Sequence, residues 1–186
     1  MPLYTGKGDQ GTTKLFDTKS GVRVSKSSPI FDALGTLDEC NSLVGLCKAK
    51  SKNTGLKCGK IEIHNMLHEV QDHLFTIQAE VAGAEKTISS DGLKMLEEAI
   101  AIIENTLPPI TTFFVPGTSE FSAYFDLART VSRRAERTVV TIAELGERAV
   151  SKESLAYLNR LSSLLYALAR YIAHVEGLTE KPPEYR

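Results

Sequence analysis

Residues 119–146, SEFSAYFDLARTVSRRAERTVVTIAELG, decide the fold of this chain. At about 100° per residue, Phe121, Tyr124, Ala128, Ala135, Val139 and Ile142 fall on one stripe. Ser119 precedes the pattern as a cap and Gly146 ends it, the usual punctuation of a helix. One amphipathic helix over 119–145 is therefore predicted, with a stripe that must be buried against other elements.

Outward from it the same period recurs. Toward the C-terminus a helix is predicted from about 152 to 176, ending at Gly177 before the Pro182-Pro183 tail. Toward the N-terminus, Ser28-Pro29 opens a helix carrying Ile30, Ala33, Leu34, Leu37, Asn41 and Val44 to about residue 49, interrupted by Gly35 and Gly45. Residues 51–60 (SKNTGLKCGK) read as a linker. A further helix runs from about 60 to 82, and another from about 92 to 106, capped by Ser89, Ser90 or Asp91 and stopped by Leu107-Pro108-Pro109. Residues 110–115 are apolar and β-branched or aromatic before the Pro116-Gly117 turn, an ordered loop that packs on the core. Residues 1–27 hold Gly6, Gly8, Gly11 and Gly21 among polar side chains and cannot form a regular helix; short extended pieces fit around 14–16 and 22–24. The expected architecture is all-α, a five-helix bundle in a single domain over 1–186, with 1–27 as a loop, 28–177 as the bundle and 178–186 as a tail.

The length of 186 residues suits one domain, and 42% hydrophobic with 24% charged residues is an ordinary globular balance. Lys+Arg 22 against Asp+Glu 23 leaves a net charge of -1, which argues against a nucleic-acid or anionic-membrane surface. Any anion must be met by a local cluster. Cys40, Cys47 and Cys58 form no C-x-x-C pair, so reduced thiols are expected. The start MPLYTGKGD has no apolar signal core, and no apolar run approaches membrane-spanning length. A cytoplasmic protein is expected.

Two constellations carry chemistry. In TGKGDQGTT (residues 5–13) glycines let backbone N–H groups converge on an anion, with Thr hydroxyls and Lys7 as further donors. It is neither a Walker A motif nor a Rossmann fingerprint, and by residue type alone it equally suits a flexible polar terminus. Arg129, Arg133, Arg134, Glu136 and Arg137 lie on the 119–145 helix. The wheel places Arg129, Arg133 and Glu136 along one edge of the apolar stripe, Arg134 on the other flank and Arg137 pointing away. Arginine forks suit polyphosphate, while a solvated face of Glu–Arg pairs would read the same way. Asp38, Glu39 and Asn41 on the first helix need partners, and Asp38 suits an arginine of the 119–145 helix. Asn159, Ser162, Ser163 and Tyr166 share a polar face. His64, His68 and Asp72 are spaced for a metal, but helical His pairs are usually surface residues and no metal ligand is assigned from side chains.

Together these segments resemble the PduO-type ATP:corrinoid (cobalamin) adenosyltransferases over nearly the whole chain. The resemblance rests on YTGKGDQGTT (4–13), VSK (24–26), GTLDECNS (35–42), FFVPG (113–117), LARTVSRRAER (127–137) and YLNRLS (157–162). It implies five-helix bundles assembled as homotrimers, with active sites between subunits. It implies that Thr5, Gly6, Lys7, Gly8, Asp9, Gly11, Thr12, Thr13 and Lys26 bind ATP with Arg133, Arg134, Glu136, Arg137 and Asn159. Asp38 and Arg129 would form an ion pair across the subunit boundary, and Phe113 would crowd the lower face of the corrin. Arg133, Glu136 and Phe113 would be the catalytic set. The substrates would be ATP and cobalamin, with Mg2+ on the triphosphate and a corrinoid reductase as partner. Cys40 stands where an aliphatic residue is usual, and Thr118 where a second glycine is common. A nucleotide-binding helical sensor without catalysis remains the alternative reading; a sensor has no obvious use for Phe113.

Overall fold

The computed structural model describes residues 3–185; Met1, Pro2 and Arg186, the outermost residues of the expected loop and tail, lie outside them. Five helices dominate: α1 (Pro29–Ser51), α2 (Ile63–Val81), α3 (Ser90–Thr106), α4 (Glu120–Glu144) and α5 (Lys152–Val175). Two small antiparallel hairpins accompany them, β1 (Thr12–Thr13) with β2 (Val24–Ser25), and β3 (Lys57–Cys58) with β4 (Ile61–Glu62).

The expected helices are present, with three corrections outside them. Residues 57–62 form a hairpin rather than a linker and a first helical turn. Its Gly59 has φ 60°, a value that suits glycine in a tight turn. The extended piece expected around 14–16 sits at Thr12–Thr13 instead, because pairing with Val24–Ser25 fixes the strand by register rather than by residue type. Residues 107–117 are irregular, as the prolines dictate, and Ile110, Phe113 and Val115 stay exposed instead of packing on the core as expected.

α4 packs chiefly between α1 and α5, α1 also covers α2, and α5 also covers α3. The core between them includes the fully buried Leu37, Val44, Leu67, Leu74, Phe125, Ala135, Leu161 and Leu168. Small residues on the facing sides of α4 and α5, such as Ala128 and Ala169, are wholly inaccessible. One buried charge is matched by hydrogen bonds: the Glu80 carboxylate accepts from Ser151 N–H at 2.7 Å and from the Ser154 hydroxyl. A carboxylate at that place satisfies free donors at the start of α5 and favours its dipole. Tyr157, also buried, bonds His73 Nδ1 at 3.1 Å. No helix is long and apolar enough to cross a membrane among the described residues.

Candidate active site

Capping sets the start of the arginine helix. Ser119 and Ser122 reciprocally bond each other's backbone N–H groups at 3.1 and 2.9 Å, which fixes the phase of α4 from its first turn. Phe121, Phe125, Ala128, Ala135 and Val139 are then buried, and Arg129 and Arg133 emerge together at the edge of that face.

They border a cavity of about 650 Å³. Its walls are Ile100, Ile103 and Glu104 of α3, Leu107, Ile110, Phe113, Phe114 and Pro116 of the following loop, Asp126, Arg129 and Arg133 of α4, and Ser162, Ser163, Tyr166 and Ala167 of α5. Phe113 remains 75% exposed at its mouth. Arg133 also borders a second depression, with Glu136, Arg137, Val140, Thr141 and Asn159. Asn159 donates to the Glu136 carboxylate at 2.9 Å. Arg137 is exposed, on the face away from the apolar stripe as the helical wheel expects. Its long side chain folds back along α4 and donates to the Arg133 carbonyl at 3.2 Å.

Arg134 pairs with Glu39 of α1, so the acidic partner for α4 is Glu39 where Asp38 was expected. Among the described residues Asp38 has no ion-pair partner within the chain. It lines an open apolar depression with Phe16, Phe31 and Phe75. Arg129 Nε lies 3.8 Å from Asp126 without hydrogen-bond geometry, and its guanidinium stands 6.0 Å from the Tyr166 ring centre.

The glycine-rich loop is built from backbone turns. Asp9 N–H donates to the Gly6 carbonyl at 3.2 Å and Gly11 N–H to Gly8 at 3.1 Å. Gly6 and Gly11 have φ 66° and 73°, conformations that L side chains rarely adopt. Lys26 N–H closes the loop on Gly11 at 2.8 Å. The Lys26 ammonium lies over Gly8, where an added Cβ would be 3.1 Å from Nζ. Arg23 pins Thr12 through its hydroxyl and carbonyl at 2.8 and 2.6 Å. Thr5, Lys7, Asp9 and Thr13 belong to the same turn-and-hairpin unit. No hydrogen bond or ion pair joins this loop to Arg133–Arg137 within the chain among the described residues.

Other sequence candidates disperse. His64 Nδ1 is engaged by the Lys48 carbonyl at 3.0 Å, and His68 faces Asp72 at 4.0 Å on an exposed surface. No cluster of three His, Cys, Asp or Glu suited to a metal ion occurs among the described residues. All three cysteines are buried and free; burial pushes the Cys40 and Cys47 thiols up to about 12.

Residues 3–172 match the cobalamin adenosyltransferase family model. The chain belongs to this family. Within it, the chain is 38% identical to the corrinoid adenosyltransferase PduO of Citrobacter freundii, over 99% of this chain and 54% of that protein. A second PduO, from Salmonella typhimurium, is also 38% identical, over 91% of this chain and 49% of its own length, so this chain spans about half of either. The human corrinoid adenosyltransferase MMAB is 32% identical over 96% of this chain and 72% of its own. Among solved structures, a phenylalanine-to-alanine variant of a PduO-type ATP:corrinoid adenosyltransferase from Lactobacillus reuteri, complexed with cobalamin and ATP, superposes with a TM-score of 0.85. It is 27% identical and covers 99% of this chain and 100% of that one.

Sequence reading missed the charged group behind the cavity. Arg170 and Asp126 are 2% and 3% exposed, and their side chains meet at 2.7 Å. Glu180 reaches Arg170 Nε at 2.9 Å, and burial pushes its carboxyl above the ordinary range more than Arg170 draws it down. The signal was present: Arg170 interrupts LLYALARYIA, an apolar run where a buried charge requires a partner.

Proposed function

We propose that the protein transfers the 5′-deoxyadenosyl group of ATP to the Co(I) centre of a reduced corrinoid such as cobalamin, releasing triphosphate. The observation that carries this reading is the position of Arg133, which borders both the aromatic-walled cavity and the polar depression. One guanidinium thus stands between a site suited to a flat macrocycle and a site suited to polyphosphate. Family membership and the complexed Lactobacillus reuteri relative support the assignment of the two substrates.

In the reaction the Co(I) lone pair attacks C5′, a Co–C bond forms, and the C5′–O bond breaks with its electrons leaving on triphosphate. No protein nucleophile is required. The protein aligns the two reactants and stabilises the leaving group. Arg133, with Arg134, Arg137 and Lys26, offers donors to the accumulating phosphate charge, and the Glu136–Asn159 hydrogen bond orients the polar depression. Thr5, Gly6, Lys7, Gly8, Asp9, Gly11, Thr12 and Thr13 supply the loop half of the ATP site. Phe113 crowds the lower axial face of the corrin, and the apolar walls keep water from Co(I).

No hydrogen bond or ion pair joins the loop and arginine halves within one chain among the described residues, which supports a homotrimer whose sites lie between subunits. An Asp38–Arg129 pair across that boundary fits the same assembly, since Asp38 has no ion-pair partner inside the chain among the described residues. The side chains offer no cage for Mg2+ among the described residues, so the ion enters the proposal only as a companion of the triphosphate. Co(I) must be made by one-electron reduction, which calls for a reductase partner. Buried reduced thiols fit a cytoplasmic setting.

The test is an anaerobic incubation with ATP and chemically reduced cobalamin. The expected result is the alkyl–cobalt absorption spectrum with stoichiometric triphosphate. ATP binding without either product would replace this reading with that of a nucleotide sensor.

A further inference from the structure

Three consecutive residues of the loop at the cavity mouth are treated differently. Phe113 projects into the mouth and stays 75% exposed. Its neighbour Phe114 faces the Arg170 guanidinium, whose carbon is 5.7 Å from the ring centre. Val115 N–H donates to the Lys181 carbonyl at 2.9 Å. The chain beyond α5 thus returns across the loop to hold Val115, while α5 itself holds Phe114 through Arg170.

Arg170 is itself held from three sides. Asp126 bonds Nη2 at 2.7 Å, Tyr166 lies 5.0 Å from its carbon, and Glu180 meets Nε at 2.9 Å. The Glu180 contact is an ion pair without hydrogen-bond geometry, and neither Nε nor Nη1 has a hydrogen-bond partner. A guanidinium 2% exposed needs such company, and Glu180 is the only one of the three that comes from outside the bundle. Nothing in α5 alone requires the tail to return; the carboxylate at Glu180 and the carbonyl at Lys181 give it two attachments, one on each layer of the loop support.

We infer that Glu180 is a positioning residue: with the Lys181 carbonyl it straps residues 113–115 to α5 through Arg170, and so sets the placement of Phe113 over the cavity. This rests on the reading that the cavity takes a corrinoid, because only then does the placement of Phe113 govern the lower axial face of cobalt. The strap leaves the polar depression of Arg133, Glu136 and Asn159 untouched, so it separates corrinoid geometry from ATP binding.

The test compares the full chain with Glu180→Ala and with a chain ended after Thr179. Hydrogen exchange is read without substrates, and the four-coordinate Co(II) fraction is read by electron paramagnetic resonance with cob(II)alamin and ATP. Ending the chain early should speed Val115 amide exchange by about tenfold or more while α3 and α5 keep their protection. The four-coordinate fraction should fall severalfold, with the KM for ATP held to within about twofold. Glu180→Ala should move both readouts the same way by less. Unchanged Val115 exchange would overturn the strap, as would exchange rising equally along α3 and α5. Glu180→Ala behaving as the full chain would remove the role of that carboxylate. If the full chain forms no adenosylcobalamin, the corrinoid reading fails, whereas a truncated chain that matches an active full chain in Co(II) coordination overturns this inference alone.

Discussion

The glycine-rich loop over 4–13 and the arginine face of α4 both offer donors to phosphate oxygens, yet they are held in opposite ways. Arg129 and Arg133 stand on a helix whose other side is core, capped at its start and packed between α1 and α5. The loop is mostly exposed and consists of turns closed by their own carbonyls. It is tied to the bundle by the Phe16 N–H to Ala82 carbonyl bond at 2.9 Å and the Asp17–Arg148 pair at 2.6 Å. The helical half is preorganised, so the phosphate contacts proposed for it would cost little ordering. The loop half would have to give up conformational freedom to close on a ligand. Substitutions in the two halves should therefore differ in kind: damage to the helical half registers in stability or rate, damage to the loop in affinity.

The largest effect is expected at the buried charges that stiffen the helical half. Asp126→Ala leaves Arg170 with Glu180 alone in a nearly inaccessible site, and removing one partner of a buried pair costs ~3–5 kcal/mol. Urea unfolding should show this as a lower midpoint. A midpoint unchanged from the parent would mean that the helical half is not the rigid one.

Next comes Arg133→Ala, which keeps the fold because the side chain is exposed but removes the donor common to both depressions. The expected loss is ~2–4 kcal/mol in kcat/KM for adenosyl transfer, with the unfolding midpoint unmoved. Near-normal kcat/KM would end the role assigned to Arg133.

This contrast also explains what could be read beforehand. The period of α4, its caps and the glycine stops are local signals, so the five helices and their rough limits were legible from residues such as Ser119, Gly146 and Gly177. The turn-forming character of residues 5–13 was legible because glycine spacing constrains the backbone directly, as the positive φ of Gly6 and Gly11 shows. Three features were not. The fold-back of Arg137 depends on a rotamer, which a helical wheel leaves out. The choice of Glu39 over Asp38 as the partner of Arg134 depends on how α1 is rotated against α4. The Arg170–Glu180 contact depends on where an irregular tail returns in space, and no sequence period encodes that.

The smallest expected effect concerns the loop's own anchor. The Arg148 hydrogen bond lowers the Asp17 carboxyl below its ordinary value of 3.8, so the folded chain releases this proton more readily than the unfolded one. The pair's contribution is then complete above that value and is lost as pH falls through the lower, folded one. With the Asp17 side chain 49% exposed, solvent screening limits the contribution to ~0.5 kcal/mol. Gly83 lies under the same carboxylate: it has φ 94°, and an added Cβ would fall 2.5 Å from Asp17 Cγ. Gly83→Ala must therefore displace Asp17 as well as strain its own backbone. Both Asp17→Asn and Gly83→Ala should weaken ATP binding at pH 7, by ~0.5–1 kcal/mol, without changing kcat for bound substrates. Since both act through one anchor, the double variant should lose no more affinity than Gly83→Ala alone. Additive losses would show that Gly83 and Asp17 support the loop independently, and Gly83 would then act through the neighbouring Phe16–Ala82 backbone bond beside the ion pair rather than through it.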